Sequence, residues 1–160
     1  MVLYISGEEG FAPTFQQKIK ALGANTVTRL YAADIRTGEE ILTEIPNKYH
    51  FIVIDSVNNM DIDPDMMKEI RKKYKQSGII AICQSTKDGK IRGSYQIVHD
   101  SDIAVKVVNG IAITTKNRFK EKHQEFNVFA VYNKSNPNAI KKITTNDNDF
   151  DGLSFDNTIK

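Results

Sequence analysis

The chain has 160 residues, a length typical of one domain with or without a tail and sufficient to bury a core without disulfides. Its 22 Lys and Arg residues nearly balance 20 Asp and Glu residues, which gives a formal net charge of +2. This balance excludes a polybasic nucleic-acid coat and an acidic disordered domain. Nucleic-acid binding would therefore have to come from local basic patches.

The cysteine content and the hydropathy pattern indicate the cellular compartment in which we expect the chain. Cys83 is the only cysteine, which excludes an intramolecular disulfide and a CxxC zinc motif. It ends the apolar run 79–83, which predicts a small buried residue. We find no apolar stretch of membrane-spanning length and no signal-peptide pattern, so we expect a cytoplasmic protein.

The first half of the chain alternates predicted strands with predicted helices. The predicted strands are 2–6, 26–31, 51–54 and 79–83. The first helix ends at Gly23, the second begins with a capping box at Thr37, and the third begins at Asp63 followed by proline. Uniformly apolar strands separated by helices predict an α/β fold with a parallel sheet covered by helices on both faces.

The second half of the chain has a different pattern. Residues 85–95 are polar and contain glycine, which predicts a surface loop. An Asn109-Gly110 turn between apolar runs predicts an antiparallel hairpin, and 126–132 predicts an antiparallel edge strand. We expect these strands to extend the parallel sheet. The predicted organisation is one domain over 1–142, followed by a polar tail or linker over 143–160.

Polar residues follow three of the predicted strands. Glu8 follows the first strand, Asp55 and Ser56 follow the third, and Gln84 follows the fourth. Parallel strands end at the same edge of a sheet, where open α/β sheets bind ligands. Carboxylates there can hold Mg²⁺ or orient a water, and an amide can contact a phosphate oxygen. Ordinary turn and capping residues are the alternative interpretation of each position.

Four segments resemble RadA, a family of RecA-type DNA-repair ATPases. Residues 1–9 resemble the strand after the phosphate-binding loop (P-loop), and 51–56 resemble the Walker B strand. Residues 84–93, followed by His99 and Asp102, resemble a RadA loop. Residues 116–119 read Lys-Asn-Arg-Phe, which is similar to the family's Lys-Asn-Arg-Phe-Gly motif, although lysine replaces the glycine. The resemblance covers about residues 1 to 132 and implies a RecA-like core.

The resemblance implies ATP and Mg²⁺ as cofactors. Asp55 would be the Walker B acid near Mg²⁺, with Ser56 beside it at the cofactor. Glu8 would polarise the attacking water. Gln84 would sense the γ-phosphate and transmit that signal to the loop that follows.

The resemblance also implies partners. Lys87, Lys90 and Arg92 would contact the phosphates of single-stranded DNA. Lys116 and Arg118 would reach a nucleotide bound by a neighbouring subunit, as an arginine finger does, which implies a homo-oligomer. A basic, solvated strand end is the alternative interpretation of the last two residues.

The sequence contains no Gly-x-x-x-x-Gly-Lys-[Ser/Thr] motif, and the only Gly-Lys pair, at Gly89, lacks the required spacing. We therefore expect very low nucleotide affinity and no ATPase activity of the chain alone. We interpret the chain as a truncated piece of a longer ATPase that needs a P-loop, in the same or another chain. A complete protein that has lost ATP binding is the alternative. The missing P-loop strand should leave a gap in the sheet or let its neighbours close up.

Two other function classes remain open. The first is a non-catalytic RecA-like module that binds DNA or an intact ATPase. The second is a receiver-like domain phosphorylated on Asp55. The residues it would use, in order, are Glu8 and Glu9, Asp55, Ser85 and Thr86, and Lys116. The hairpin predicted before its fifth strand counts against the receiver.

Overall fold

The computed structural model describes residues 1–85, 95–120 and 123–130. The chain divides into two compact units, one spanning Met1–Asp100 and one that begins at Ser101. The first unit is α/β, and the second is built on an antiparallel sheet. Most of the predicted loop 85–95 and all of the predicted tail 143–160 lie outside the described residues.

The first unit alternates strands and helices. Its elements are β1 (Val2–Ser6), α1 (Pro13–Ala21), β2 (Leu30–Ala33), α2 (Gly38–Glu44), β3 (Phe51–Asp55), α3 (Pro64–Lys73), β4 (Gly78–Ile82) and α4 (Tyr95–Asp100). The strand predicted at 26–31 is displaced toward the C-terminus, because Ala24–Thr26 forms a short 3-10 turn and β2 begins only at Leu30.

The four strands of the first unit form a parallel sheet in the order β2-β1-β3-β4. Val2 lies opposite Leu30 on one side and Phe51 on the other. Because β1 pairs directly with β2 and β3, and β3 pairs with β4, these four strands are contiguous, with no gap between them. Their carboxyl ends share one edge.

The core of the first unit lies between one face of the sheet and the helices α2 and α3. Ile5, Ile54, Ile41 and Ile70 each have 0% exposure in one continuous cluster. Each fully buried side chain of this size contributes about 1.5–3 kcal/mol. Tyr74 is 1% exposed in the same cluster. The core thus fixes β1 and β3 side by side.

Among the residues that the structure describes, the opposite face of the sheet is only partly covered. Phe15 of α1 stacks on Tyr4 of β1, with ring centroids 5.8 Å apart, so helices do lie on both faces. Phe51 and Ile80 are nevertheless each 50% exposed, and Ile82 is 40% exposed. Within the described residues, the prediction that helices cover both faces therefore fails at β3 and β4, where side chains on this face stay exposed although α1 packs on Tyr4.

The second unit contains β5 (Ile103–Val108), β6 (Ile111–Asn117) and β7 (Glu125–Asn127). These strands form an antiparallel sheet in the order β5-β6-β7. Asn109 and Gly110 join β5 to β6 with φ values of 49° and 74°, which confirms the predicted hairpin. The expected extension of the parallel sheet is wrong, since these strands form a separate sheet. The predicted strand 126–132 is also too long, because the Asn127 side chain accepts a hydrogen bond from Ala130 N and caps a helical turn.

Among the described residues, no helix is long and apolar enough to span a bilayer.

Candidate functional site

The loop after β1 is fastened to the end of β3 through backbone hydrogen bonds. The carbonyl oxygen of Asp55 accepts from Gly7 N at 2.7 Å and from Glu8 N at 3.2 Å. Ser6 lies opposite Asp55, which in turn lies opposite Ile82 of β4. The ends of β1 and β3 therefore hold Glu8 at the carboxyl edge of the sheet, and the end of β4 lies beside them.

The carboxylate of Glu8 gathers side chains that follow the other two strands. Its Oε2 atom accepts from Gln84 Nε2 at 3.1 Å and from Ser56 Oγ at 3.4 Å. Ser56 is 1% exposed, whereas Glu8 is exposed. The structure thus brings together Glu8, Ser56 and Gln84, which are three of the predicted site residues. Ser56 is buried, whereas the carboxylate of Glu8 is open to solvent.

Asn58 supports this cluster from the turn after β3. Its Oδ1 atom accepts from the backbone N of Gln84 at 2.8 Å and so fixes the start of the segment that follows β4. The sequence did not lead us to predict a role for Asn58. The available signal is its place three residues after Asp55, since asparagine side chains in turns commonly bind backbone groups.

Asp55 is oriented by a tyrosine on the neighbouring strand. The phenol of Tyr4 donates to Asp55 Oδ2. Burial, the hydrogen bond to Asp55 and the nearby carboxylates all raise the pKa of Tyr4, with burial as the largest cause, so the phenol remains a neutral donor. Sequence reasoning missed Tyr4, although its position between Leu3 and Ile5 places its polar hydroxyl on the face opposite the core.

Cys83 lies between β4 and Gln84 and packs against the core cluster. It is half-buried, which is less than the full burial predicted from the sequence. Burial raises the pKa of its thiol, so the thiol stays protonated. This places Cys83 beside the candidate site as a packing residue.

The predicted trans-acting residues belong to the second unit. Lys116 lies in β6 opposite Ala104, and Arg118 follows the end of that strand. Arg118 donates from its backbone N to Asp102 O at 3.1 Å and from Nη1 to Asp102 Oδ1 at 3.0 Å. Arg118 is therefore held in an exposed ion pair within its own unit.

The predicted DNA-contacting residues Lys87, Lys90 and Arg92 lie outside the described residues. Asp55 carries carboxylate oxygens of the kind that Mg²⁺ prefers, and Mg²⁺ commonly takes only one or two carboxylates from the protein. In the described part of the chain, no group of three or more His, Cys, Asp or Glu side chains is placed so that it could hold a metal ion. Neither models of known protein families nor curated proteins match this chain.

Proposed function

We propose that this chain supplies the water-orienting half of a RadA-like nucleoside triphosphatase site. The observation that carries the proposal is the carboxylate of Glu8, which accepts hydrogen bonds from Gln84 and Ser56 at the carboxyl edge of a parallel sheet. Asp55 is the last residue of β3 at the same edge, as the Walker B acid would be. The resemblance of the sequence to RadA supports the same assignment.

The role of each site residue follows from the hydrogen-bonding groups of its side chain. Phosphoryl transfer depends on positioning and charge stabilisation more than on covalent chemistry. Glu8 would accept a hydrogen bond from a water molecule and direct that water toward the terminal phosphate. Gln84 donates to Glu8, and the same amide would donate to a phosphate oxygen once nucleotide is present. Asp55, oriented by Tyr4, would hold Mg²⁺ directly or through water.

The phosphate-binding loop would come from a segment that docks along β4. Among the described residues, β4 is an edge strand that pairs only with β3. Ile80 and Ile82 expose apolar surface on the sheet face beside that edge. An exposed apolar edge is a template for one more strand. We propose that a segment carrying a P-loop pairs there, and that assembly into oligomers on single-stranded DNA brings Lys116 and Arg118 to a neighbouring nucleotide.

A non-catalytic interaction module is the second candidate, and the same exposed edge of β4 favours it. The receiver-like alternative is less well supported. It needs Lys116 at the end of a fifth parallel strand, whereas β6 is antiparallel and belongs to the separate sheet. Within the described ranges, the parallel sheet has four strands.

The proposal is tested by restoring the missing half of the site. The full chain is assayed alone and as a fusion downstream of the P-loop strand and helix of a RecA-type ATPase. We expect no phosphate release from the chain alone and Mg²⁺-dependent ATP hydrolysis by the fusion. Glu8→Gln should lower the rate of the fusion about 100-fold or more, as loss of a general base does.

Glu9→Gln is the matched control for this assay, because Glu9 forms an exposed ion pair with Lys18 and is not bonded to Gln84. We expect its hydrolysis rate to stay close to that of the fusion. A fusion that binds ATP without hydrolysing it would contradict the catalytic proposal and support the interaction module. Equal rates for Glu8→Gln and the unmodified fusion would also contradict it.

A further inference from the structure

We infer that Arg36 is a positioning residue for Glu8, an inference that rests on the proposed function. Arg36 lies in the connection between β2 and α2. Its Nη1 atom donates to Gly7 O and to Glu8 O, each at 3.3 Å. One guanidinium therefore spans the two consecutive carbonyl groups that lead into and out of the candidate water-orienting residue.

Arg36 is itself held at two points. Its Nε atom contacts Asp34 Oδ1 at 2.7 Å. Its backbone N donates to Glu40 Oε2 at 2.7 Å. Thr37 caps α2 by accepting from Glu40 N at 3.2 Å, as predicted, but the glutamate of the expected capping box bonds one residue earlier than Thr37. The first turn of α2 thus anchors Arg36.

The loop after β1 is shaped to close on this arginine. Gly10 has φ +61°, and a side chain there would collide with the Arg36 guanidinium and the Asp34 carboxylate. Gly10 N also donates to Ser6 O at 3.1 Å, which makes residues 6–10 a tight turn. The ion pair therefore fills the space that a side chain at position 10 would need.

These contacts fix the backbone of Glu8 on both sides. Its N–H is bound to Asp55 O, and its carbonyl is bound to Arg36. The Glu8 side chain is exposed, and an exposed side chain on an unanchored loop populates several rotamers. Removal of Arg36 would leave the backbone of Glu8 with only its N–H anchor, so the carboxylate would be held less firmly in its direction toward Gln84. Arg36 does not touch that carboxylate and would act through the backbone.

The test uses NMR on the full chain labelled with ¹⁵N, without nucleotide. Glu8→Gln defines the displacement of the Gln84 side-chain amide signals when the carboxylate acceptor is lost, and Gln84→Asn assigns those signals. We expect Arg36→Met to move them at least halfway along that displacement. Asp34→Asn should move them less and in the same direction. Thermal unfolding of Arg36→Met should stay close to that of the unmodified chain, because the arginine is half exposed.

Arg29→Met is the matched control, because Arg29 is an exposed arginine just before β2 and should leave the Gln84 signals in place. If Arg36→Met leaves the signals unmoved while Glu8→Gln displaces them, Arg36 does not position Glu8. If Glu8→Gln leaves them unmoved, the inference also falls. The readout needs no ATP, so its failure is separate from failure of the hydrolysis assay.

Discussion

The phenol of Tyr4 donates a hydrogen bond to the carboxylate of Asp55 on the neighbouring parallel strand. Tyr4 lies opposite Val53, so Asp55 is two residues further along β3 and projects from the same face of the sheet. The phenol is fixed in turn by its stacking on Phe15 of α1. Packing on the face opposite the core thereby orients the acid that the proposal places beside Mg²⁺.

Tyr4→Phe should lower the free energy of unfolding by about 1–2 kcal/mol at neutral pH, because it removes a hydrogen bond to a charged group and keeps the ring stack. The pKa of Tyr4 is raised in the folded protein. Its contribution to stability should therefore be complete below the unfolded pKa of about 10 and decline as pH rises above it.

Urea unfolding of the unmodified chain and of Tyr4→Phe, between neutral pH and about pH 11, measures this difference. We expect the stability gap between the two proteins to narrow above pH 10. Tyr31→Phe is the control, because Tyr31 is 42% exposed. If the difference in unfolding free energy is absent at neutral pH, or if it grows as pH rises, the hydrogen bond between Tyr4 and Asp55 does not stabilise the fold as described.

Tyr74→Phe should cost about 1–3 kcal/mol of stability, because its one buried hydroxyl proton is shared between Ile41 O, at 2.6 Å, and Ile45 O, at 2.8 Å. These carbonyl groups belong to the last turn of α2 and the residue after it. Lys73 Nζ also donates to Ile45 O, at 3.0 Å, so one of the two acceptors keeps a donor. The urea midpoint reports the loss, and a midpoint unchanged from the unmodified chain would show that the phenol bonds add nothing.

The fold of the first unit was largely predictable because its signals are local. Asp63 caps α3 by accepting from Met66 N, and Thr37 caps α2, as the sequence indicated. The position of β2 was not predictable from propensity, since strand-forming residues at 27 and 28 lie outside the strand. The separate second sheet was also missed, because no local pattern specifies whether a hairpin joins an existing sheet.

The candidate site was predictable where topology alone decides it. Parallel strands bring Glu8, Ser56 and Gln84 to one edge regardless of side-chain detail. Arg36 and Tyr4 were missed because their contacts depend on tertiary packing across separate strands and on the path of one connection. Such contacts leave no spacing signature in the sequence.

Binding of single-stranded DNA through Lys87, Lys90 and Arg92 remains a prediction from the sequence. Neutralising all three should weaken binding to an oligonucleotide and flatten the dependence of affinity on salt, because fewer counterions would be released. Fluorescence anisotropy at several salt concentrations measures both quantities. Neutralising Lys68, Lys72 and Lys75, which are exposed in or just after α3, is the control. An unchanged affinity and salt slope in the first triple variant would exclude this loop as the DNA contact.

In the function proposed above, Asp55 binds the metal and Glu8 orients the water at the nucleotide edge of a triphosphatase site. Paramagnetic Mn²⁺, which takes oxygen ligands as Mg²⁺ does, can be titrated with ATP at millimolar concentration into the ¹⁵N-labelled full chain. We predict that the backbone amide signals of Gly7, Glu8 and Ser56 broaden first and that Asp55→Asn abolishes this selectivity. Broadening that appears first at the acidic residues Asp61, Asp63 and Asp65, or that persists unchanged in Asp55→Asn, would contradict the claim.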